Sequence, residues 1–380
     1  MNFLSKLPNV GTTIFTIMSK LAQENHAVNL SQGFPDFDPS PKLMDLVTIA
    51  MKSGHNQYAT MSGVKELREE IAKKSEEIYG SIYHPESEVT VTTGGSEAIF
   101  SIISAFIHSG DEVILFEPAF DLYRPVIELF GGKVKAVQLK APEFTIDWNE
   151  VKNLISPKTK MILLNNPNNP ATYLLKPSDF QSLIKIVQDT EILVLSDEVY
   201  EHMVFDEEKF ISVSQFPELK NRSFVVASFG KLFHITGWKV GYFLAPEELT
   251  REVRKVHQYN TFSVSTPFQF AIAEFLKNKS EYLHLPEFFQ QKRDFLIEGL
   301  KSTPFEIIPP KGTYYLLADY SQISDLNDLE FSKYLTEKYK VATIPLSAFY
   351  EIPPQQKLLR ICFAKKEETL EKAIELLNKI

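Results

Sequence analysis

The sequence predicts an α/β protein: a mostly parallel seven-stranded sheet flanked by helices, followed by a smaller α+β domain. Three observations point there. Through the middle of the chain, short apolar runs alternate with longer amphipathic ones, the rhythm of strands joined by crossover helices. Several short runs, notably Val113–Phe116 and Ile192–Leu195, are apolar at consecutive positions, as in strands buried on both faces. After about Ser280 the rhythm changes to long helices interleaved with brief strands.

The expected strands are Glu88–Thr92, Glu112–Phe116, Val134–Leu139, Lys160–Asn165, Ile192–Ser196, Phe224–Ala227 and Val240–Leu244. Apolar residues at three- and four-residue spacing predict helices over Val64–Tyr79, Glu97–His108, Pro177–Asp189, Glu248–Tyr259 and Phe268–Lys277. The later part should hold a helix over Leu285–Leu300, a strand pair near Phe305–Ile308 and Gly312–Ala318, and a helix near Glu330–Tyr339. A strand at Leu358–Phe363 and a closing helix from Lys366 complete it. Internal repeats and long Gly/Ser linkers are absent from the sequence, so the pieces should pack tightly.

With 380 residues, 44% of them apolar, the chain can bury a large core. Its 40 Lys and Arg against 49 Asp and Glu leave a formal net charge of −9. Without a basic surplus, neither nucleic acid nor an anionic membrane is an expected partner, and any phosphate must be bound locally. The single cysteine, Cys362, excludes an intrachain disulfide. No two of the 8 histidines are spaced to share a helix face as metal ligands, so no metal is expected. The N-terminal stretch lacks a signal-peptide apolar run, and no segment of about 18 uninterrupted apolar residues occurs, so a cytoplasmic location is expected.

Five stretches could carry chemistry. Ser228-Phe229-Gly230-Lys231 follows an apolar strand, and a lysine in the loop at a strand end can enter the crevice where open α/β sheets bind ligands; a solvated loop lysine is the plainer alternative. Asp197 ends the run Ile192–Ser196, where a buried carboxylate needs a positive or hydrogen-bonding partner unless it merely caps a turn. A cationic ring N–H would serve, and Tyr200, three residues on, could reach an oxygen of the same ring. Thr92-Thr93-Gly94-Gly95-Ser96-Glu97 joins a strand to a helix start, which is either a simple turn or a phosphate cup, with Ser228 and Lys239 able to help from another loop. Asn166-Pro167-Asn168-Asn169-Pro170 is a rigid loop that could also present an amide. Arg360, among apolar neighbours in Leu358–Phe363, needs either a structural ion pair or a ligand carboxylate. Together these supply a Schiff-base lysine, a carboxylate for a ring nitrogen, a phosphate cup and a carboxylate clamp, which one cofactor, pyridoxal 5'-phosphate, requires.

The order and spacing of these stretches resemble fold-type I, class I/II pyridoxal-phosphate-dependent aminotransferases. The likeness runs from Leu30-Ser31-Gln32-Gly33-Phe34-Pro35-Asp36-Phe37 through Asn56-Gln57-Tyr58, Asn166–Pro170 and Ser196–Tyr200 to Leu359-Arg360-Ile361-Cys362-Phe363. Its most specific part is Ser228-Phe229-Gly230-Lys231-Leu232-Phe233-His234-Ile235-Thr236-Gly237-Trp238-Lys239-Val240-Gly241-Tyr242. Within the family, the methionine-type and kynurenine/glutamine-type branches are the most similar. The resemblance implies that Lys231 holds the cofactor covalently and moves the proton, Asp197 binds the pyridine nitrogen, and Tyr200 and Asn169 bind the phenolic oxygen. It further implies that Gly95, Ser96, Ser228 and Lys239 hold the phosphate, that Phe120 stacks on the ring, and that Arg360, with Gly33 and Asn169 beside it, clamps the substrate carboxylate. Tyr58 would reach the phosphate of a neighbouring subunit, which implies a homodimer with shared sites. By the same likeness, residues 1–44 form an N-terminal segment packed on the small domain, 45–280 the large cofactor domain and 281–380 the small domain.

The implied reaction is a ping-pong exchange of an amino group between an amino acid and a 2-oxo acid. Two departures bear on it. Many relatives place Thr-Gly after the second Asn-Pro, whereas Ala171-Thr172 follows Pro170 here, so the turn should differ. Aspartate-type members carry an arginine where this chain has Lys239, which favours the methionine and kynurenine branches. Phe15, Ile14, Phe34 and Phe37 should line an apolar substrate pocket, suiting methionine, aromatic and other large neutral amino acids better than aspartate. A carbon–sulfur β-lyase on the same scaffold is the nearest alternative. A non-enzymatic sensor fused to a DNA-binding domain is another, disfavoured because the likeness already begins near Lys6-Leu7-Pro8.

Overall fold

The computed structural model describes residues 4–380. Its central sheet contains β1 (Val89–Thr92), β2 (Glu112–Glu117), β3 (Lys133–Gln138), β4 (Thr159–Asn165), β5 (Leu193–Asp197), β6 (Ser223–Ser228) and β7 (Gly241–Leu244). Across the sheet their order is β1-β7-β6-β5-β4-β2-β3. Only β7 is antiparallel to its neighbours; every other pairing is parallel. Each strand lies within a residue of the expected run. The reason is visible in the packing: Ile114 and Phe116 of β2 face one apolar cluster, while Val113 and Leu115 face the other. In β6, Val225 and Ala227 likewise oppose Phe224 and Val226. Two buried faces demand apolar residues at successive positions, and that demand made the strands legible.

The expected helices form at Lys65–Tyr79, Gly94–Phe106, Pro177–Val187, Glu247–Asn260 and Thr266–Leu276. The second starts three residues before the expected Glu97, so the glycine pair belongs to its first turn. The helices Tyr123–Leu129 and Trp148–Leu154, of 7 residues each, were not expected, since two turns are too short to declare a period. A further correction concerns Lys231: it sits not in a loop but in the single helical turn Phe229–Leu232, closed by the bond from Phe233 N–H to Phe229 O at 2.9 Å.

The N-terminal stretch holds a helix, Ile14–Glu24, started by the Thr13 side chain accepting from Thr16 N–H at 3.3 Å. After it, Val28–Asn29 pairs in parallel with Val341–Ala342, tying this segment to the C-terminal part. The helix Pro41–Lys52 instead packs on Thr266–Leu276. The C-terminal part builds an antiparallel sheet in the order Ile344–Pro345, Leu358–Cys362, Tyr315–Asp319, Glu306–Ile308. The expected helix near Glu330–Tyr339 runs over Asp328–Tyr334 and widens into a π-helical turn at Leu335–Tyr339, ended by Lys340 at φ 60°. Leu285–Leu300 and Glu367–Leu377 are helical.

Candidate active site

The parallel strands of the large sheet end on one edge, where Asn165, Asp197 and Ser228 close β4, β5 and β6. The arginine-bearing strand Leu358–Cys362 of the second sheet faces that edge, and between them lies a cavity of about 270 Å³. This is the crevice at the carboxyl ends of strands where open α/β sheets take ligands. Of the residues singled out in the sequence, Lys231, Asp197, Tyr200, Asn169 and Arg360 line it, as do Phe15 and Gly33. Gly95, Ser96, Phe120, Ser228 and Lys239 line it too. Tyr58 does not: it is 82% exposed, with its ring edge-on to Phe262 at 5.3 Å.

Lys231 Nζ donates to the Tyr314 hydroxyl at 2.8 Å and to Gly33 O at 3.3 Å. Burial brings its amine down to about 8; the Arg360 and Lys239 charges act in the same direction, while Cys362 and Asp197 oppose them. A sizeable neutral fraction at pH 7 to 8 follows, as a nucleophilic amine needs. Asp197 accepts from the Tyr123 hydroxyl at 2.6 Å and from Val199 N–H at 3.3 Å. Burial pushes its carboxyl up to about 6 despite those two bonds. A cation met at this position would reverse that rise.

The glycines at the first turn of Gly94–Phe106 do different work. Gly94 has φ +74°, a conformation side chains resist, and a Cβ there would lie 3.3 Å from Lys239 Nζ. The lysine ammonium therefore sits directly over this helix start, where free N–H groups and the dipole already favour an anion. Gly95 instead meets the sheet, a Cβ on it falling 3.2 Å from Val199 Cγ1 and 3.3 Å from Val226 Cγ1. Gly241 completes the approach: its Cβ would strike Ala227 O at 2.7 Å and Gly94 C at 2.8 Å. So the cradle is open because of Gly94, and it rests on the sheet because of Gly95 and Gly241.

Arg360 is 1% exposed, and its hydrogen bonds go to neutral oxygens, Asn169 Oδ1 at 2.6 Å and Ser31 O at 3.2 Å. Its Nε has no hydrogen-bond partner among the described residues. The guanidinium is sandwiched by aromatic rings, 3.9 Å from the Tyr315 centroid and 4.9 Å from that of Phe349. The register explains the closest contact: Arg360 pairs with Leu317, so Tyr315 is its diagonal neighbour on the same face. A buried cation without a carboxylate partner is costly, and a carboxylate ligand would remove that cost. The structural ion pair weighed from sequence is not what this arginine forms.

Sequence reasoning missed Tyr123, Tyr314, Tyr315 and Asn165. Asn165 Oδ1 accepts from Asn169 N–H at 2.7 Å and its Nδ2 donates to Asp197 O at 3.0 Å, locking two site loops together. Polar residues in otherwise apolar strands, Asn165 ending β4 and the pair Tyr314-Tyr315 opening a strand, were the available signal. Conversely, only Phe15 of the four apolar residues expected around a substrate lines the cavity. Phe37 packs edge-on to His234 and Phe288, Phe34 is 45% exposed, and Ile14 packs against the core. In the turn after Pro170, Thr172 stands where many relatives carry glycine and adopts φ 62°, the left-handed region natural to glycine, and its carbonyl accepts from Lys311 N–H at 3.1 Å and Gly312 N–H at 3.2 Å.

A buried amine, a buried carboxylate and a glycine-opened helix start beneath a lysine, opposite a guanidinium on a second sheet, make the cleft of a group-transfer enzyme. The chain belongs to the aminotransferase class I and II family, whose model matches residues 25–377. It is 49% identical over 377 residues to the methionine aminotransferase of Escherichia coli (strain K12), covering 99% of this chain and 98% of that one. It is 32% identical to human kynurenine–oxoglutarate transaminase 1, covering 95% and 94%. The crystal structure of YbdL from Escherichia coli, identified as a methionine aminotransferase, superposes with a TM-score of 0.98 at 48% identity, covering 100% of both chains.

Proposed function

We propose that the chain is a pyridoxal-phosphate-dependent aminotransferase that takes the amino group of methionine, aromatic or other large neutral amino acids and passes it to a 2-oxo acid, acting as a cytoplasmic homodimer. The observation that carries this reading is the convergence of Lys231, Asp197 and Arg360 on one cavity. The residues fit the cofactor on structural grounds: Gly94 leaves room for a phosphate beside Lys239, and the Asp197 carboxyl lacks a cation. When bound, pyridoxal phosphate supplies an electron sink conjugated to the amino acid Cα.

Lys231 would hold the cofactor through Nζ and, when its amine is free, would carry the proton at the substrate Cα. Asp197 would hold the ring N–H, with Tyr123 fixing the carboxylate for it. Asn169, with Oδ1 committed to Arg360, has Nδ2 to donate to the ring oxygen, together with the Tyr200 hydroxyl, which burial keeps protonated. Gly95, Ser96, Ser228 and Lys239 would hold the phosphate, and Phe120 would cover the ring. Arg360 orients the substrate carboxylate through the unpaired Nε and its neighbouring N–H groups, between Gly33 and Phe15. Tyr58, exposed on its own chain, reaches a partner's phosphate. Residues 4–40 and 281–380 form one side of the cleft against 45–280, and the helix Pro41–Lys52 packs with the large domain on Thr266–Leu276.

Phe15 offers the substrate side chain an apolar wall, so burial of a thioether or aromatic group contributes roughly 1.5–3 kcal/mol while a second carboxylate would lose several. Ranking amino donors by kcat/KM against one 2-oxo acid tests this. Methionine and phenylalanine should lead; aspartate outranking both would overturn the substrate assignment.

A further inference from the structure

We propose that Tyr314 is the positioning residue for the Lys231 amine, holding the side chain by a hydrogen-bonded relay to Gly33 whenever Nζ is not covalently engaged. This rests on the reading of Lys231 as the cofactor lysine. Tyr314 is fully buried in the strand-opening pair Tyr314-Tyr315, and its hydroxyl donates to Gly33 O. With its proton so committed, the phenol oxygen can only accept from Lys231, as the 2.8 Å contact requires. A second N–H of Nζ points at the same Gly33 carbonyl, 3.3 Å away. A neutral amine with both N–H bonds directed at Tyr314 and Gly33 must aim its lone pair elsewhere, and the cavity lies on the remaining side.

The relay therefore selects one orientation of a flexible side chain, the one that presents a base or nucleophile to the reacting carbon. Burial keeps the Tyr314 phenol protonated, so Tyr314 orients the amine and transfers no proton of its own. Its ring is held independently of the hydroxyl, packed 5.2 Å from Tyr200 and 5.9 Å from Phe289. The carbonyl at the end of the relay belongs to the N-terminal segment, so the position of the amine is linked to the seating of that segment over the site. A side chain at Gly33 is forbidden by the same corner, since a Cβ would fall 1.8 Å from Tyr315 Oη.

The groups facing Lys231 are Tyr314 and Tyr200 across the ring faces, with Arg360, Cys362, Lys239 and Asp197 acting through their charge. Replacing Tyr314 by Phe leaves all of these and removes only the hydroxyl, the donor to Gly33 O and the acceptor for Lys231, and that acceptor stabilises the ammonium more than the amine. Labelling of Lys231 by an amine-selective reagent in the cofactor-free full chain, followed by peptide mass spectrometry across pH, reads its titration directly. In Tyr314→Phe the midpoint should fall by about one unit, the weight of one hydrogen bond to a charged donor, whereas Tyr320→Phe, which removes a distant buried hydroxyl bonded to Leu326 O, should leave it unchanged. An unshifted midpoint in folded Tyr314→Phe overturns the proposal. So does a crystal structure of the unmutated, cofactor-free chain in which Nζ makes no contact with Tyr314, a result independent of any variant's folding. A wild-type chain without transaminase activity would fault the functional reading alone, since the titration decides the role of Tyr314 in either case.

Discussion

Asp197→Asn should make the cofactor-free protein more stable and the loaded enzyme nearly inactive. The carboxyl is 4% exposed and burial raises it from 3.8 to about 6. Because the folded value lies above the unfolded one, the native chain binds more protons between about pH 4 and pH 6, and its stability falls as pH rises through that window. Above it, the ionised Asp197 costs about 3 kcal/mol, at about 1.36 kcal/mol per unit. Asparagine keeps an oxygen for the Tyr123 hydroxyl but turns an N–H toward Val199 N–H, whose bond is already long at 3.3 Å. That loss, present at every pH, trims the expected gain to about 2 kcal/mol. Urea melts of both proteins without cofactor are the assay: the variant should be slightly less stable than wild type near pH 4 and exceed it at pH 8. With cofactor the order should reverse, since a buried ring cation left unpaired costs about 3–5 kcal/mol, and turnover should fall on the order of 10²–10³-fold. A stability difference that does not grow between pH 4 and pH 8 would refute the claim that Asp197 is an uncompensated buried carboxylate.

Two further outcomes follow from the same geometry. Arg360→Lys keeps the charge but loses the planar fork and the stacking on Tyr315, so amino-acid affinity should drop about 10- to 100-fold while cofactor affinity changes little; parallel loss of both would contradict the clamp. If Tyr58 serves a partner's site, mixing Tyr58→Phe chains with Arg360→Ala chains should restore activity above either parent, and a fully active monomer in sedimentation would reject the shared site.

Much of this protein could be read from the order of its residues alone. The inner strands announced themselves because a sheet covered on both faces requires unbroken apolar runs, as in Val113–Phe116, whereas the edge strand Lys133–Gln138 alternates with polar residues. Lys231, Asp197 and Arg360 stood out because each is a charged residue at or inside an apolar run, where burial without a partner is costly. The short helices Tyr123–Leu129 and Trp148–Leu154 stayed hidden, having too few residues to show a period.

What tertiary structure alone decided is which groups meet. Tyr123 and Asp197 are 74 positions apart, and Lys231 and Tyr314 are 83, so their bonds leave no local pattern. The division of labour between Gly94, which opens the cradle, and Gly95, which lets the helix settle on Val199 and Val226, is equally invisible in a glycine pair. Phe37 and Phe34 read as pocket residues by their place in the chain, but the packing of Phe37 on His234 and Phe288 and the exposure of Phe34 take them elsewhere. Residue type and local spacing determine which elements form and which side chains need a partner; the partner itself is chosen by the fold, because contacts across a cleft depend on the register and packing of elements far apart in sequence.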